Sequence, residues 1–212
     1  MKKLVLLIAT ILCLGSCSNG QEKSFKSFIS YFSIMPLPFT VDNFSEHKGE
    51  LVPPDLAFLY LCKGDSSLLT FESVGINHDT QEVVYRKLKS YEYKAYARIQ
   101  IENYYLLIYD GYVTDGYHEF TKVIDIGVFR ADGELISEMP FYVFDDMGKL
   151  EEQSGTITED FQILIKKKVY FKNEKGVFTR SYKEITETYE IEKRTGKFIM
   201  TDEIVTVFDK SK

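Results

Sequence analysis

The sequence predicts a mainly β protein that is α+β only at its N-terminus. From about Tyr85 onward, apolar and polar residues alternate with a period of two, in segments rich in β-branched and aromatic residues. Turns that contain glycine separate these segments. Helical spacing of apolar residues occurs only near the start of the chain. We therefore expect an antiparallel meander, a sandwich or a distorted barrel, with one or two short N-terminal helices.

The composition is that of a globular domain with a substantial core. The chain has 212 residues, of which 44% are hydrophobic, and its formal net charge is −6. A single β-rich domain over residues 24–212 accommodates this length. Because phosphate binding favours a basic face, the acidic balance argues against nucleic acid as a partner.

Residues 1–16 have the pattern of a signal peptide. Lys2 and Lys3 precede an apolar run over 4–14, which is shorter than the roughly 20 residues that span a bilayer. The run leads into Leu14-Gly15-Ser16-Cys17, which resembles the bacterial lipobox. That resemblance implies that Cys17 carries palmitate-type acyl chains and begins the mature protein, with 17–23 as a short tether to a membrane that the chain does not cross. The alternative is a plain cleavable signal that is followed by a chance cysteine.

Cysteine usage agrees with export. If Cys13 leaves with the signal and Cys17 carries lipid, Cys62 is left alone, so we expect no internal disulfide. Cys62 ends an apolar run, and we expect it to be buried as a small hydrophobic residue. A nucleophilic role would require a nearby base.

Two short helices are expected ahead of the strands. Apolar residues recur at three- and four-residue spacing from Phe25 to Phe32, directly after Ser24, which is a favourable N-cap. Pro36 and Pro38 then force the backbone to be extended. A second short helix or apolar turn is expected over Val52–Leu61.

The period-two segments predict the strands, and the glycines between them predict the turns. In each turn a glycine stands just before an apolar residue that re-enters the sheet, where a hairpin needs positive φ. The uneven spacing of these glycines argues against a regular repeat array. The expected strands run over 95–101, 104–109, 122–129, 157–165, 185–192 and 197–208, and the turn glycines are Gly133, Gly148, Gly176 and Gly196.

Several segments together resemble a family of small lipoproteins. With the lipobox leader, the segments Pro36–Phe39, Asp132–Ile136 and Gly155–Asp160 look like uncharacterised small lipoproteins of the Bacteroides group. The resemblance covers most of the mature chain, and it implies a β-rich fold and an outer-membrane location. Surface-exposed lipoproteins of that group tend to have acidic residues directly after the cysteine. The segment Ser18–Gln21 has none, so we expect the protein to face the periplasm.

The segment from Gly64 to Leu68 resembles the serine motif of the GDS-type esterases. The resemblance implies that Ser66 is a nucleophile, with His118 as its base and Asp115 orienting the imidazole. Those enzymes alternate β-strands with helices, whereas the segments after Ser66 predict antiparallel β-structure. We therefore favour a simple turn at Ser66, and we expect no catalytic residue there.

The most unusual segment is 110–119, which contains Asp-Gly-Tyr twice. Its carboxylates, phenols and imidazole are suited to a sugar, a small polar ligand or Ca²⁺. As a hairpin connection, the same residues would relieve strain and cover the sheet edge, and we favour this structural interpretation. The candidate ligand-binding residues are Asp110, Tyr112, Asp115, Tyr117 and His118.

No motif predicts a metal or a cofactor. The three histidines lack zinc-binding spacing, and neither a CxxC pair, an EF-hand nor a glycine-rich phosphate loop is present in the sequence. The run Lys166–Lys168 is interpreted as a solvated strand end or edge rather than as an anion site.

The sequence therefore favours a lipid-anchored protein of the cell envelope. Its β domain is expected to bind or scaffold a protein or glycan partner without catalysis. The rival hypothesis is an envelope hydrolase that uses Ser66 or the loop with Asp115 and His118.

Overall fold

The computed structural model describes residues 24–42, 49–64, 70–76, 80, 83–113, 121–145 and 151–209. Across these ranges the chain is mainly β, as predicted, with two short helices before the first long strand. The helices are α1 (24–29) and α2 (Pro54–Tyr60). The strands are β1 (Ser33–Ile34), β2 (Phe39–Val41), β3 (Glu50–Leu51), β4 (Thr70–Ile76), β5 (Val83–Ile101), β6 (Tyr104–Val113), β7 (Thr121–Arg130), β8 (Leu135–Asp145), β9 (Glu151–Ile157), β10 (Ile163–Lys172), β11 (Phe178–Ile191) and β12 (Phe198–Phe208).

The strands form one mixed sheet that is not closed into a barrel. From β5 to β12 each strand pairs antiparallel with the next one along the chain, so the predicted meander is confirmed. The short strands β1, β3 and β4 pair with the outer side of β5, and β1 does so in parallel.

The meander opens between β8 and β9. Among the described residues these two strands share the single pair Val143–Gln153. Further along β9, the residues from Gly155 to Ile157 pair with β2, which takes the place of β8 at that side. β2 is followed by Asp42, so the N-terminal part of the chain forms one wall of the opening.

Two hydrophobic cores cover the two faces of the central strands. The inner core lies where the sheet curves back on itself through β2, β9 and β10. The aromatic core lies between the sheet and the two helices. The inner core contains Phe39, Val41, Tyr96, Ala97, Ile99, Tyr104, Leu106, Ile108, Ile124, Ile126, Val128, Phe141, Tyr142, Ile157, Ile163 and Ile165. The aromatic core contains Phe25, Phe28, Ile29, Phe32, Val52, Ala57, Tyr60, Leu61, Ala95, Leu107, Tyr109 and Phe129.

The helices are held by aromatic contacts and one polar contact. Phe28 stacks on Tyr60 of α2 with ring centroids 4.8 Å apart. Both predicted helices are present, but α1 ends at residue 29, before Phe32, and α2 covers only Pro54–Tyr60 of the predicted segment. Arg98 of β5 donates from Nη1 to the Ile29 carbonyl at 3.1 Å, which ties the end of α1 to the sheet. Cys62, just after α2, is fully buried, as expected from its apolar run.

The predicted glycine turns are confirmed where the structure describes them. Gly133, Gly176 and Gly196 all have positive φ. Gly133 has a second reason to be glycine, because a Cβ there would lie 2.5 Å from the Tyr60 ring of α2. The turn predicted at Gly148 lies outside the described residues.

Gly155 of β9 generates a test of this packing. A Cβ at this position would lie 2.4 Å from the Phe141 ring and 2.6 Å from the Phe141 carbonyl oxygen, so backbone and core must shift. We expect Gly155→Ala to lower the free energy of unfolding by about 2 kcal/mol, as overpacking does. The measurement is urea denaturation. The neighbouring Ser154→Ala should stay within about 0.5 kcal/mol of the wild type, and equal losses in the two variants would contradict the close approach of Phe141 to Gly155.

Candidate binding site

Most residues that the sequence analysis singled out lie outside the described part of the chain. These are Cys17, Ser66, Asp115, Tyr117 and His118. Tyr112 belongs to β6, where its backbone is paired with Glu92 of β5. The proposed roles of these residues remain predictions.

Asp110 lies in strand β6 rather than in a loop. Its residue surface is only 2% exposed, and the Tyr96 hydroxyl donates a hydrogen bond to its Oδ2 at 2.8 Å. Tyr96 belongs to the inner core, so this bond anchors the carboxylate at the end of an otherwise apolar face. Its part in a ligand site stays a prediction.

A carboxyl and tyrosine group on the helix-covered side of the sheet was not predicted from the sequence. Asp125 of β7 is directly opposite Tyr109 of β6, and the Tyr109 hydroxyl donates a hydrogen bond to Glu138 Oε1 of β8. Burial raises the pKa of the Asp125 carboxyl to about 7, and the nearby charges of Glu138 and Asp110 add to this effect. Burial also raises the pKa of Tyr109 well above its ordinary value, so the phenol remains a donor.

This group does not have the composition of a metal site or of a nucleophilic centre. Among the described residues, no cluster of three or more histidine, cysteine or acidic side chains is arranged to hold a metal ion. The phenol of Tyr109 is protonated and directed to Glu138. The sequence gives no sign of the group, because an aspartate between Ile124 and Ile126 fits the ordinary alternation of a half-exposed strand.

A cleft of about 680 Å³ lies at the opening between β8 and β9. It is bounded by the end of β2 and by the strands from β8 to β11. Polar and charged side chains dominate its walls, and Val143 and Tyr142 are the apolar lining residues. The complete lining is Asp42, Tyr142, Val143, Glu152, Gln153, Ser154, Lys166, Lys167, Lys168, Glu184 and Thr186.

Two of the three lysines in the cleft are fixed by partners. Lys167 Nζ forms an ion pair with Glu187 Oε1 at 2.9 Å, and Tyr189 donates a hydrogen bond to the other oxygen of Glu187 at 2.8 Å. Lys168 lies over the rings of Tyr170 and Tyr182, with Nζ 4.9 Å and 4.7 Å from the two centroids. The pKa of Lys168 is raised, chiefly by a side-chain hydrogen bond with Tyr170.

The remaining charges in the cleft are mixed in sign. Lys168 also lies 3.9 Å from Glu152. Within the described ranges, Lys166, Asp42 and Glu184 form no ion pair with one another or with the other lining residues. The lining therefore contains three lysines and three carboxylates, and the cleft presents many donors and acceptors without a strong net charge.

The structure corrects the interpretation of the lysine run as an edge. β10 lies between β9 and β11, so it is an internal strand of the sheet. Lys166 is exposed, whereas Lys167 and Lys168 are half-buried. The sequence could not show this, because the pairing partners of β10 are separate segments whose register is set by the whole meander.

Comparison of the chain with protein families, with characterised proteins and with solved structures gave no match. Among the described residues, no helix has both the length and the apolar character needed to cross a bilayer.

The raised pKa of Asp125 predicts how the stability of the protein depends on pH. The folded state holds this proton up to about pH 7, whereas an unfolded aspartate loses it near its ordinary pKa of 3.8. The free energy of unfolding should therefore fall as pH rises, by on the order of 2 kcal/mol between about pH 5 and about pH 8. Asp125→Asn should remove most of this slope in urea denaturation across that range.

A matched control is Glu174→Gln, because Glu174 lies on the exposed turn between β10 and β11. This variant should keep the pH dependence of the wild type. If Asp125→Asn also kept it, the folded-state titration would belong to another group.

Proposed function

We propose that this chain is a lipid-anchored protein of the cell envelope whose β domain binds a hydroxyl-rich ligand, such as a saccharide, in the cleft between β8 and β11. The observation that carries the proposal is the mixed lining of that cleft. Lysines, carboxylates, an amide and two hydroxyls surround a volume of about 680 Å³. This volume lies within the range of small-molecule sites.

The charge arrangement favours a neutral hydroxylated ligand over an anion. A sugar hydroxyl both donates and accepts hydrogen bonds, so it suits a wall on which Lys166 and Glu184 occur together. A strongly anionic ligand would instead be opposed by Asp42, Glu152 and Glu184. A lining side chain that is already fixed, such as Lys168 over the rings of Tyr170 and Tyr182, would lose little conformational entropy on binding.

The proposed location rests on the sequence before the domain. The apolar run over 4–14 and the lipobox that ends at Cys17 support lipidation, and the short tether over 17–23 would keep the cleft near the membrane. Acyl chains contribute about 0.8 kcal/mol for each buried CH₂ group, so several chains hold a protein at a membrane essentially permanently. We propose that the anchor lies in the outer membrane and that the domain faces the periplasm.

Ligand binding is tested by thermal unfolding of the full chain in detergent. The probes are neutral oligosaccharides, including a hexamer of N-acetylglucosamine, and their sulfated counterparts. A neutral oligosaccharide should raise the unfolding midpoint, since a ligand at a hundredfold excess over its Kd stabilises the folded state by about 2.7 kcal/mol.

Lys166→Ala and Glu184→Ala should each reduce that stabilisation, because both side chains line the cleft. Lys175→Ala is the matched control, since Lys175 lies on an exposed turn away from the cleft lining. A shift with the sulfated sugars alone, or equal shifts in all three variants, would contradict the proposed ligand class.

The anchor is tested separately by metabolic labelling with palmitate. The wild type should incorporate the label and fractionate with membranes, whereas Cys17→Ala should remain unlabelled and enter the soluble fraction. Cys62→Ala should behave as the wild type, because Cys62 is fully buried. Equal labelling of the wild type and Cys17→Ala would exclude Cys17 as the lipidated residue.

A further inference from the structure

The last strand of the sheet, β12, has a bare edge. It pairs with β11 on one side, and no strand within the described ranges pairs with it on the other. Every residue from Ile199 to Val207 is exposed, so neither face of the strand is covered along that length. An eleven-residue strand therefore presents a free row of backbone donors and acceptors.

The opposite edge of the sheet is treated differently. The outer side of β5 pairs with three short strands, namely β1, β3 and β4, along most of its length. Short covering strands of this kind are a common way to prevent unwanted pairing at a sheet edge. Short strands therefore cover the edge of the sheet at β5, whereas the edge at β12 has no such cover within the described ranges.

Beyond its bulge, β12 has few of the features that discourage edge pairing. It contains no proline, lysine or arginine between Phe198 and Phe208, and its charged residues are Asp202 and Glu203. Large apolar side chains at five positions are between 45% and 61% exposed. These are Ile199, Met200, Ile204, Val205 and Val207.

We propose that β12 pairs antiparallel with β12 of a second copy of this chain, across a two-fold axis that passes through Val205. A two-fold axis perpendicular to the sheet relates side chains that lie on the same face. Facing residues of two paired strands also lie on the same face, so the axis must pass through a position at which a residue faces its own copy. The regular part of β12 runs from Asp202 to Phe208, because a bulge interrupts its pairing with β11 just before Asp202. Val205 is the midpoint of that segment.

The positions of the charges are compatible with this register and exclude two others. An axis at Asp202 or Glu203 would place identical carboxylates directly opposite each other, which is destabilising. With the axis at Val205, Glu203 faces Val207 of the second copy and Asp202 faces Phe208. The carboxylates then lie at the two ends of the paired segment, and the apolar residues meet at its centre.

A matched pair of charge substitutions tests the register. Val205 and Val207 are of the same residue type, differ by two positions and are 50% and 61% exposed. Val205→Lys would place two lysines opposite each other, whereas Val207→Lys would place a lysine opposite Glu203 of the second copy. By sedimentation equilibrium of the full chain in detergent, the wild type and Val207→Lys should be dimeric and Val205→Lys monomeric.

Cysteine substitutions at the same positions test the pairing without added charge. Facing residues in an antiparallel pair have Cα atoms about 5 Å apart, which suits a disulfide. Two residues at position 207 would be four positions apart along the ladder, or about 14 Å. Val205→Cys should therefore form an intermolecular disulfide in isolated membranes under mild oxidation, and Val207→Cys should not.

These measurements decide the proposal even if one variant fails to fold. A monomeric wild type would overturn it and would leave the edge to a strand from a different protein. A dimer that survives Val205→Lys without a disulfide in Val205→Cys would place the interface elsewhere. Equal crosslinking at both positions would show random collision and would also overturn the register.

Discussion

The burial of β6 and β7 on both faces is the constraint on which the rest of this structure depends. Leu106 and Ile108 face the inner core, and Leu107 and Tyr109 face the aromatic core. Each large apolar side chain that is taken out of water contributes about 1.5–3 kcal/mol. A sheet that is apolar on both sides needs a cover on each. The two helices cover one face. Residues of β2, β9 and β10 cover the other face.

That double burial also explains the polar groups at the ends of the central strands. Asp110 and Asp125 lie where the apolar faces end, and a carboxylate at such a place must find a partner or hold a proton. Asp110 accepts a hydrogen bond from Tyr96. Burial, together with the nearby charges of Glu138 and Asp110, raises the pKa of Asp125 to about 7. The ends of the two apolar faces therefore carry a hydrogen-bonded carboxylate on one strand and a pH-dependent carboxylate on the next.

The parts of the fold that were predictable are those whose cause is local in the sequence. The spacing of aromatic residues predicts α1, and positive φ at Gly133, Gly176 and Gly196 follows from turn chemistry. The pairing of β2 with β9 joins segments more than a hundred residues apart, and no local pattern predicts it. The cleft depends on that pairing, so its lining residues could not be identified from the sequence. Lys166 is an example. The residues next to it in the sequence would be the same whether β10 were an edge strand or an internal strand.

The cleft and the bare edge have a common origin in the unequal covering of the sheet. The two helices and the short strands β1, β3 and β4 lie against the first half of the meander, and β2 alone among the short strands pairs with the second half, at β9. The second half, from β9 to β12, continues beyond them as a sheet whose last strand has no cover on either face. The two halves separate between β8 and β9. The cleft lies there, and β2 bounds it on one side. Because the N-terminal segments reach the second half of the sheet only at β9, the strands beyond it keep the polar and unpaired surfaces on which the proposed binding depends.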